Sequence, residues 1–502
     1  MSAERRRVLR NAVSAYGARG LLALSALIVT PVLYRHLGAG GFGTWSVIFT
    51  FSTIFGLVEL GFARGITKVS SELLARGRRA ELQEAMGASV AQMGVLGLLA
   101  SAVSVALGLL APGLAAVGER DAFTAAMLVL GAERLVYFPL ATCMAVLAGH
   151  QRYDLVSGAG AANTAGFSAA ALAIVAADGG VLAVTVAYAA AHLGMGVLCA
   201  VLLKRVDPAL SLRPLAGSAA VRRRLLAMNG FVLLADSMTF IGQRMDTLVI
   251  AAIRSPAAAG PFAAVLKLQS GVQSLTLPFV FQLMPMVSDL WARGRRDEVL
   301  RRTGLATRVS LQMILPVAAA LAVLAPDAID VWLGAGAPDS ANAILAVLMV
   351  VQVVTLTTAP AEQVLVGLGR VRAVGALAAV EGLSNLVLSI VLVSAYGAVG
   401  AAIGTLATSA LISPLRVPLA ARALGAPVAA LVRSSLVPAL LSSLPALAGL
   451  AAVRLALDAG PARLFAGLAV VVAAAAAVGA AQLGPRRVAR ELRSLRPGAH
   501  AR

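Results

Sequence analysis

The chain is a succession of apolar runs, each about twenty residues or longer, separated by short basic clusters. A hydrocarbon core about 30 Å thick is crossed by about 20 residues of α-helix. Laid along the sequence, this ruler predicts spans at 12–34, 42–63, 86–111, 122–146, 155–176 and 180–203. Six more follow at 226–252, 258–286, 305–326, 341–366, 373–394 and 398–420, and a last pair at 435–456 and 462–483. The expected fold is an all-α integral membrane protein with about fourteen transmembrane helices. Composition agrees: only 13% of residues are charged and mean hydropathy is +0.88. That charge share is about half that of a water-soluble domain, which excludes an ordinary cytosolic enzyme.

The formal charge of +19 would point to nucleic acid in a soluble protein. Here the charge sits between the spans, where membrane topology accounts for it. With the N-terminus inside, most of the 42 Lys and Arg fall in the inner segments, and only Arg35, Arg120, Arg254, Arg454 and Arg463 in outer connections. The positive-inside bias therefore places both termini in the cytoplasm. No nucleic-acid partner is expected. Arg5-Arg6-Arg7 before the first run resembles the start of a signal peptide, but the run is too long, and a retained first helix is expected.

Three segments recur at a common offset of about 217 residues. Arg5-Arg6-Arg7-Val8-Leu9 matches Arg222-Arg223-Arg224-Leu225-Leu226. Ala75-Arg76-Gly77-Arg78-Arg79 matches Ala292-Arg293-Gly294-Arg295-Arg296, and Leu147–Arg152 matches Leu365–Arg370. The offset spans six helices, so both halves enter the membrane from the same side and the repeat is parallel. This predicts two pseudo-symmetric six-helix lobes, 1–210 and 215–421, with 422–502 holding a final helix pair and a basic cytoplasmic tail.

Catalytic signatures are missing. Gly38-Ala39-Gly40-Gly41-Phe42-Gly43 fits G-x-G-x-x-G but lies in a tight turn between spans, with no strand before it. The sequence contains no ATP-binding P-loop and no room outside the spans for a catalytic domain. The four histidines make no metal spacing, and Cys143 and Cys199 lie within apolar runs as small core residues. Neither a metal nor a cofactor is expected, and a transporter fits better than an enzyme.

Charges inside spans carry the functional signal, because a charge at mid-bilayer costs about 2.5–3.5 kcal/mol and tends to face water or a partner. Arg19, Arg134, Arg244 and Lys267 are basic candidates for a cavity wall. Asp236, Gln243 and Asp246 lie on one helical face of the seventh span and join them as candidate substrate contacts. Glu59, Arg64, Arg308, Glu381 and Asn385 are candidates for ion coupling or gating. The competing reading is buried ion pairs that fix geometry, or side chains snorkelling to the interface. Arg134 in particular follows Glu133 and could be compensated locally. A cavity rich in Arg and Lys favours an anionic ligand.

Particular segments resemble a known family. Pro31-Val32-Leu33-Tyr34-Arg35-His36-Leu37-Gly38, then Gly41-Phe42-Gly43-Thr44-Trp45-Ser46 and Leu60-Gly61-Phe62-Ala63-Arg64, resemble the first hairpin of the Wzx-like polysaccharide flippases. These belong to the multidrug/oligosaccharidyl-lipid/polysaccharide (MOP) exporter superfamily. Asp246-Thr247-Leu248-Val249-Ile250, Gly260-Pro261-Phe262, Pro285-Met286-Val287-Ser288 and Tyr396-Gly397-Ala398-Val399-Gly400 fit the same pattern, although Pro261 is unusual in it. The resemblance implies flipping of an undecaprenyl-pyrophosphate-linked oligosaccharide to the outer leaflet for surface polysaccharide biosynthesis. Arg19 and Lys267 would hold the pyrophosphate, and the final helix pair would extend a groove for the lipid tail. Partners implied are membrane lipids, a polysaccharide polymerase and glycosyltransferases. A drug/cation antiporter, a lipid II flippase and a non-transporting scaffold remain the alternatives.

Overall fold

The structure, a computed structural model, describes residues 3–214 and 245–483. Helices and their connecting turns account for it, with no strand among the described residues. Ten helices among these residues are long and apolar enough to cross a membrane, and two of the ten are double-length, Gly17–Ala75 and Val371–Leu424. Most of the expected seventh span, 226–252, lies outside the described residues. An all-helical membrane fold of the expected kind is what these elements make.

The two double-length helices are broken by glycine. Helix α1 (Ala3–Ala75) breaks at Gly38 (φ 68°, ψ 174°), and α12 (Val371–Ile412) breaks at Gly397 (φ 62°, ψ −147°). Both backbones lie in a region closed to residues with a Cβ, so each break needs glycine for conformation rather than for space. The G-x-G-x-x-G match thus begins at a helix break, as its position between spans implied.

Two compact units divide the chain. The first takes Met1–Gly271 and Ala378–Gly404. It contains both limbs of α1, then α2 (Arg79–Leu110), α3 (Arg120–Gly149), α4 (Tyr153–Ala176) and α5 (Val181–Val206). The described part of α6 (245–253), most of α7 (Pro256–Phe281) and the middle of α12 complete it. One of its cores packs Ile66, Leu82, Met86, Val146 and Leu203, with Cys143 and Cys199 both buried as free thiols. Outward faces are apolar too: Val95, Leu98, Leu99 and Val103 of α2 are exposed, as in a helix facing lipid.

The second unit takes Val272–Leu377 and Thr405–Arg502. It holds α8 (Leu283–Ala292), α9 (Arg296–Val323), α10 (Ala325–Trp332) and α11 (Ser340–Gly367). The short α13 (Arg416–Leu424) and the final pair α14 (Val428–Ala456) and α15 (Pro461–Leu483) follow. Its core gathers Leu283, Val287, Val299, Val364 and Leu365. A half-buried Arg463 donates to the buried carboxylate of Asp327 at 2.7 Å, tying α15 to α10.

The sequence repeat is visible in the turns. After α1, Gly77 (φ 67°) donates to the Leu74 carbonyl and Arg78 N–H to that of Leu73. After α8, Gly294 (φ 72°) and Arg295 bond in the same way to Trp291 and Leu290. Both are Schellman closures, which satisfy the last carbonyls of a helix. The pattern returns at Gln151 (φ 59°) and at Gly369 (φ 76°), the two ends of the third sequence match. Even the bond that seats them repeats: Ser71 Oγ donates to the Gly149 carbonyl at 3.0 Å, and Ser288 Oγ to that of Gly367 at 2.9 Å.

Gly38→Ala and Gly397→Ala are each expected to lower stability by about 1–3 kcal/mol. Gly17→Ala, on open helix surface, should not. Thermal unfolding in detergent checks this; equal midpoints for all three would contradict the strained breaks.

Candidate functional site

The first unit encloses a cavity of about 310 Å³ between the two limbs of α1, α4, α5 and the α6–α7 segment. Backbone contact between helices sets its edge. At Gly43 a side chain would run into the Pro256 carbonyl, and at Gly260 into the Ala39 carbonyl. Glycine at both positions lets α1 and α7 touch there. Two turns further on, α7 presents Ala263, Leu266 and Lys267 to the cavity.

One wall is aromatic. Trp45 and Phe49, one turn apart on α1, meet Phe167 of α4 and Tyr188 of α5. Trp45 stacks on Phe167 with ring centroids 6.0 Å apart and planes at 24°, while Tyr188 stands edge-on to Trp45, Phe49 and Phe167. These are the offset and T-shaped arrangements that ring quadrupoles prefer. The Lys267 ammonium lies 3.8 Å from the centroid of Phe49. That contact holds the charge by a cation–π attraction inside the unit.

The remaining lining is rich in hydroxyls. Ser46, Thr50, Thr53 and Thr164 each donate to the carbonyl four residues back, at 2.7–3.0 Å. Their protons are committed to the helices, so their oxygens face the cavity as acceptors. Among the described residues, Lys267 is the one formally charged side chain on the lining, and none of them there is acidic. Aromatic faces, acceptor oxygens and one ammonium suit a ligand that has hydroxyl groups and carries negative charge.

Behind the aromatic wall is a buried polar network. His192 of α5 lines the cavity, and its Nδ1 is 2.7 Å from Glu133 Oε1. Glu133 Oε2 pairs with Arg134 Nε at 3.0 Å, and both side chains are 1% exposed. Arg134 Nη2 donates to Ser52 Oγ at 2.5 Å, and Ser52 bonds to the Tyr188 hydroxyl at 2.9 Å. The Tyr137 hydroxyl donates to Glu59 Oε1 at 3.3 Å, and its ring stacks on His192 at 3.7 Å.

The structure thus sorts the candidates. Lys267 is at the cavity. Arg134 is not on its wall: it is buried behind it, compensated by the neighbouring Glu133, the local pairing its sequence position allowed. Glu59 is buried in the same network. Asp246 is buried and joins the seventh span to the eleventh, accepting from Ser389 at 2.7 Å and from Asn385 at 3.5 Å. Arg19 and Arg64 are exposed on α1, outside the cavity lining, and Glu381 is half-buried on α12. Arg308 is half-buried on α9 of the second unit. Asp236, Gln243 and Arg244 lie outside the described residues.

Sequence reasoning missed the aromatic wall and His192. A signal existed: Thr185, Tyr188 and His192 are spaced 3 and 4 along an otherwise apolar span, and Trp45 and Phe49 are spaced 4. Histidines weighed only for metal spacing hid the first of these.

No protein-family model and no curated protein matches the chain. Solved structures do. A structure described as lipid II flippase MurJ in an inward closed conformation is similar with a TM-score of 0.74 at 12% identity, covering 94% of this chain and 98% of that one. An inward-facing multidrug resistance MATE family transporter of the MOP superfamily gives 0.64 at 12% identity, covering 82% and 98%. An outward-facing one gives 0.56 at 13%, covering 85% and 97%.

Removing Arg134 leaves two buried carboxylates without their guanidinium, which costs about 3–5 kcal/mol when a buried pair is broken. Thermal unfolding should therefore place Arg134→Ala well below the native chain; an unchanged midpoint would contradict the buried network. At these identities the likeness is one of architecture: the chain has the helical fold found in MOP-superfamily flippases and exporters.

Proposed function

We propose that the protein is a flippase for an undecaprenyl-pyrophosphate-linked oligosaccharide, moving it from the cytoplasmic to the outer leaflet of a bacterial inner membrane. The observation that carries this reading is Lys267, a fixed ammonium on a hydroxyl- and aromatic-lined cavity inside a bundle of apolar helices. An ammonium binds phosphate oxygens through charge-assisted hydrogen bonds. Sugar rings match hydroxyl acceptors and aromatic faces. The polyprenyl tail would stay in lipid. Transport by alternating access of lobes 1–210 and 215–421, with both termini cytoplasmic, belongs to the same proposal. So do the roles of Arg19 in phosphate binding, of Glu59, Arg64, Arg308, Glu381 and Asn385 in coupling or gating, and of a polymerase and glycosyltransferases as partners.

A lipid II flippase would use the same phosphate chemistry with a different sugar, and the similarity to the lipid II flippase structure keeps that reading open. The drug/cation antiporter is favoured by the aromatic wall but opposed by the described residues of the lining, which present an ammonium and no carboxylate to an incoming cation.

Complementation of a bacterial strain lacking its polysaccharide flippase tests the proposal. Restored surface polysaccharide is expected with the native chain. Lys267→Ala should reduce it about tenfold or more, the worth of one hydrogen bond to a charged group, and Lys267→Arg should restore it. Full activity in both Lys267→Ala and Arg19→Ala, or organic-cation efflux without complementation, would overturn it.

A further inference from the structure

The network behind the aromatic wall holds more negative than positive charge. Glu59 and Glu133 are both buried, at 4% and 2% exposure, and the guanidinium they share the site with is that of Arg134. Helix α3 also brings Tyr137, and α5 brings Tyr188, His192 and, two turns on, Cys199. Beyond their first two turns, α2 and α4 carry no charged side chain, and α7 brings Lys267 on the far side of the Phe49 ring. With both carboxyls ionised and His192 neutral, the described side chains of the site carry one uncompensated negative charge away from water. A buried unpaired charge is strongly unfavourable, and groups in that position take up a proton instead.

Geometry supplies the path for that proton. His192 lines the cavity on one side and hydrogen-bonds Glu133 on the other. That hydrogen bond carries the proton; the stacking of the His192 ring on Tyr137, whose hydroxyl donates to Glu59, couples Glu59 to the site without conducting a proton. Through Arg134 and Ser52 the same network ends on the hydroxyl of Tyr188, a ring of the cavity wall. Arg134 Nη1 is buried without a hydrogen-bond partner, so the guanidinium has a donor to spare for a newly ionised oxygen.

We infer that Glu59, Glu133, Arg134, Tyr137 and His192 form a proton-binding site, exchanging one proton with the cavity through His192 and passing its occupancy to the wall through Tyr188. The ligand is a proton, and the site stands whatever substrate the cavity takes. The proton moves between carboxylate and imidazole oxygen and nitrogen lone pairs, with no bond between heavy atoms made or broken. Loss of the proton leaves an anionic site whose compensation falls to Arg134, pulling on Ser52 and thereby on Tyr188.

The test uses the full chain in lipid nanodiscs without substrate, titrated across neutral to mildly acidic pH. Infrared difference spectra follow protonated carboxyls, and Trp45 emission in a Trp291→Phe, Trp332→Phe background follows the cavity wall. A protonated-carboxyl band that changes with pH is expected, matched by a change in Trp45 emission. Glu59→Gln and Glu133→Gln should each remove or move both signals. His192→Gln, which keeps a hydrogen-bond donor for Glu133 and so protects the fold, should move the midpoint. Identical titrations in all variants, or Trp45 emission that stays flat with pH, would overturn the site. An absent titration in a protein that still complements overturns the proton site and spares the flippase reading. A clear titration in a protein that fails to complement does the opposite.

Discussion

Hydrocarbon offers no hydrogen bonds, and every polar group placed in it must find its partner within the chain. That constraint shapes this protein at each level. It makes the backbone helical and lets the outward faces be apolar. It closes helix after helix with Schellman turns, and it turns the hydroxyls of Ser46, Thr50 and Thr53 back onto carbonyls one turn earlier in the same helix. Charges inside the bundle then have two fates, burial behind a wall or a place beside a cavity, each with its own contacts. Arg134 takes the first with Glu133, and Lys267 takes the second with contacts that include the Phe49 ring.

The two fates explain why the cavity has the character it does. Among the described residues, the acids nearby are withdrawn behind the aromatic wall into the Glu59–Tyr137–His192–Glu133–Arg134 network, and the lining shows an ammonium, acceptor oxygens and rings. Aromatic residues divide the two compartments. Tyr188 and His192 belong to both, which makes α5 the element through which the charge state of the buried network can reach a bound ligand.

Much of the fold was legible because its cause is one-dimensional. Span length, the basic connections and the repeat at about 217 residues are properties of the sequence in order, and the repeated turns at Gly77 and Gly294 follow from them. The site was legible in part. Lys267 stood out as a charge in an apolar run, and the Glu133–Arg134 adjacency already offered Arg134 a partner. The union of Asp246 with Asn385 and Ser389, or of His192 with Glu133, depends on how helices distant in sequence rotate against each other, which periodicity does not encode. Aromatic residues were overlooked because in a membrane helix a Trp or Phe reads first as packing.

The account rests on water reaching a positive charge inside the bundle. Its most direct test is the reaction of a membrane-impermeant, water-soluble thiol reagent with a Lys267→Cys variant, in a Cys143→Ala, Cys199→Ala background, in sealed membranes. The account predicts ready labelling that an undecaprenyl-pyrophosphate-linked sugar slows, while Leu98→Cys on the lipid-facing side of α2 stays unlabelled. If position 267 proved as inert as position 98, the cavity would be dry and the account would be contradicted.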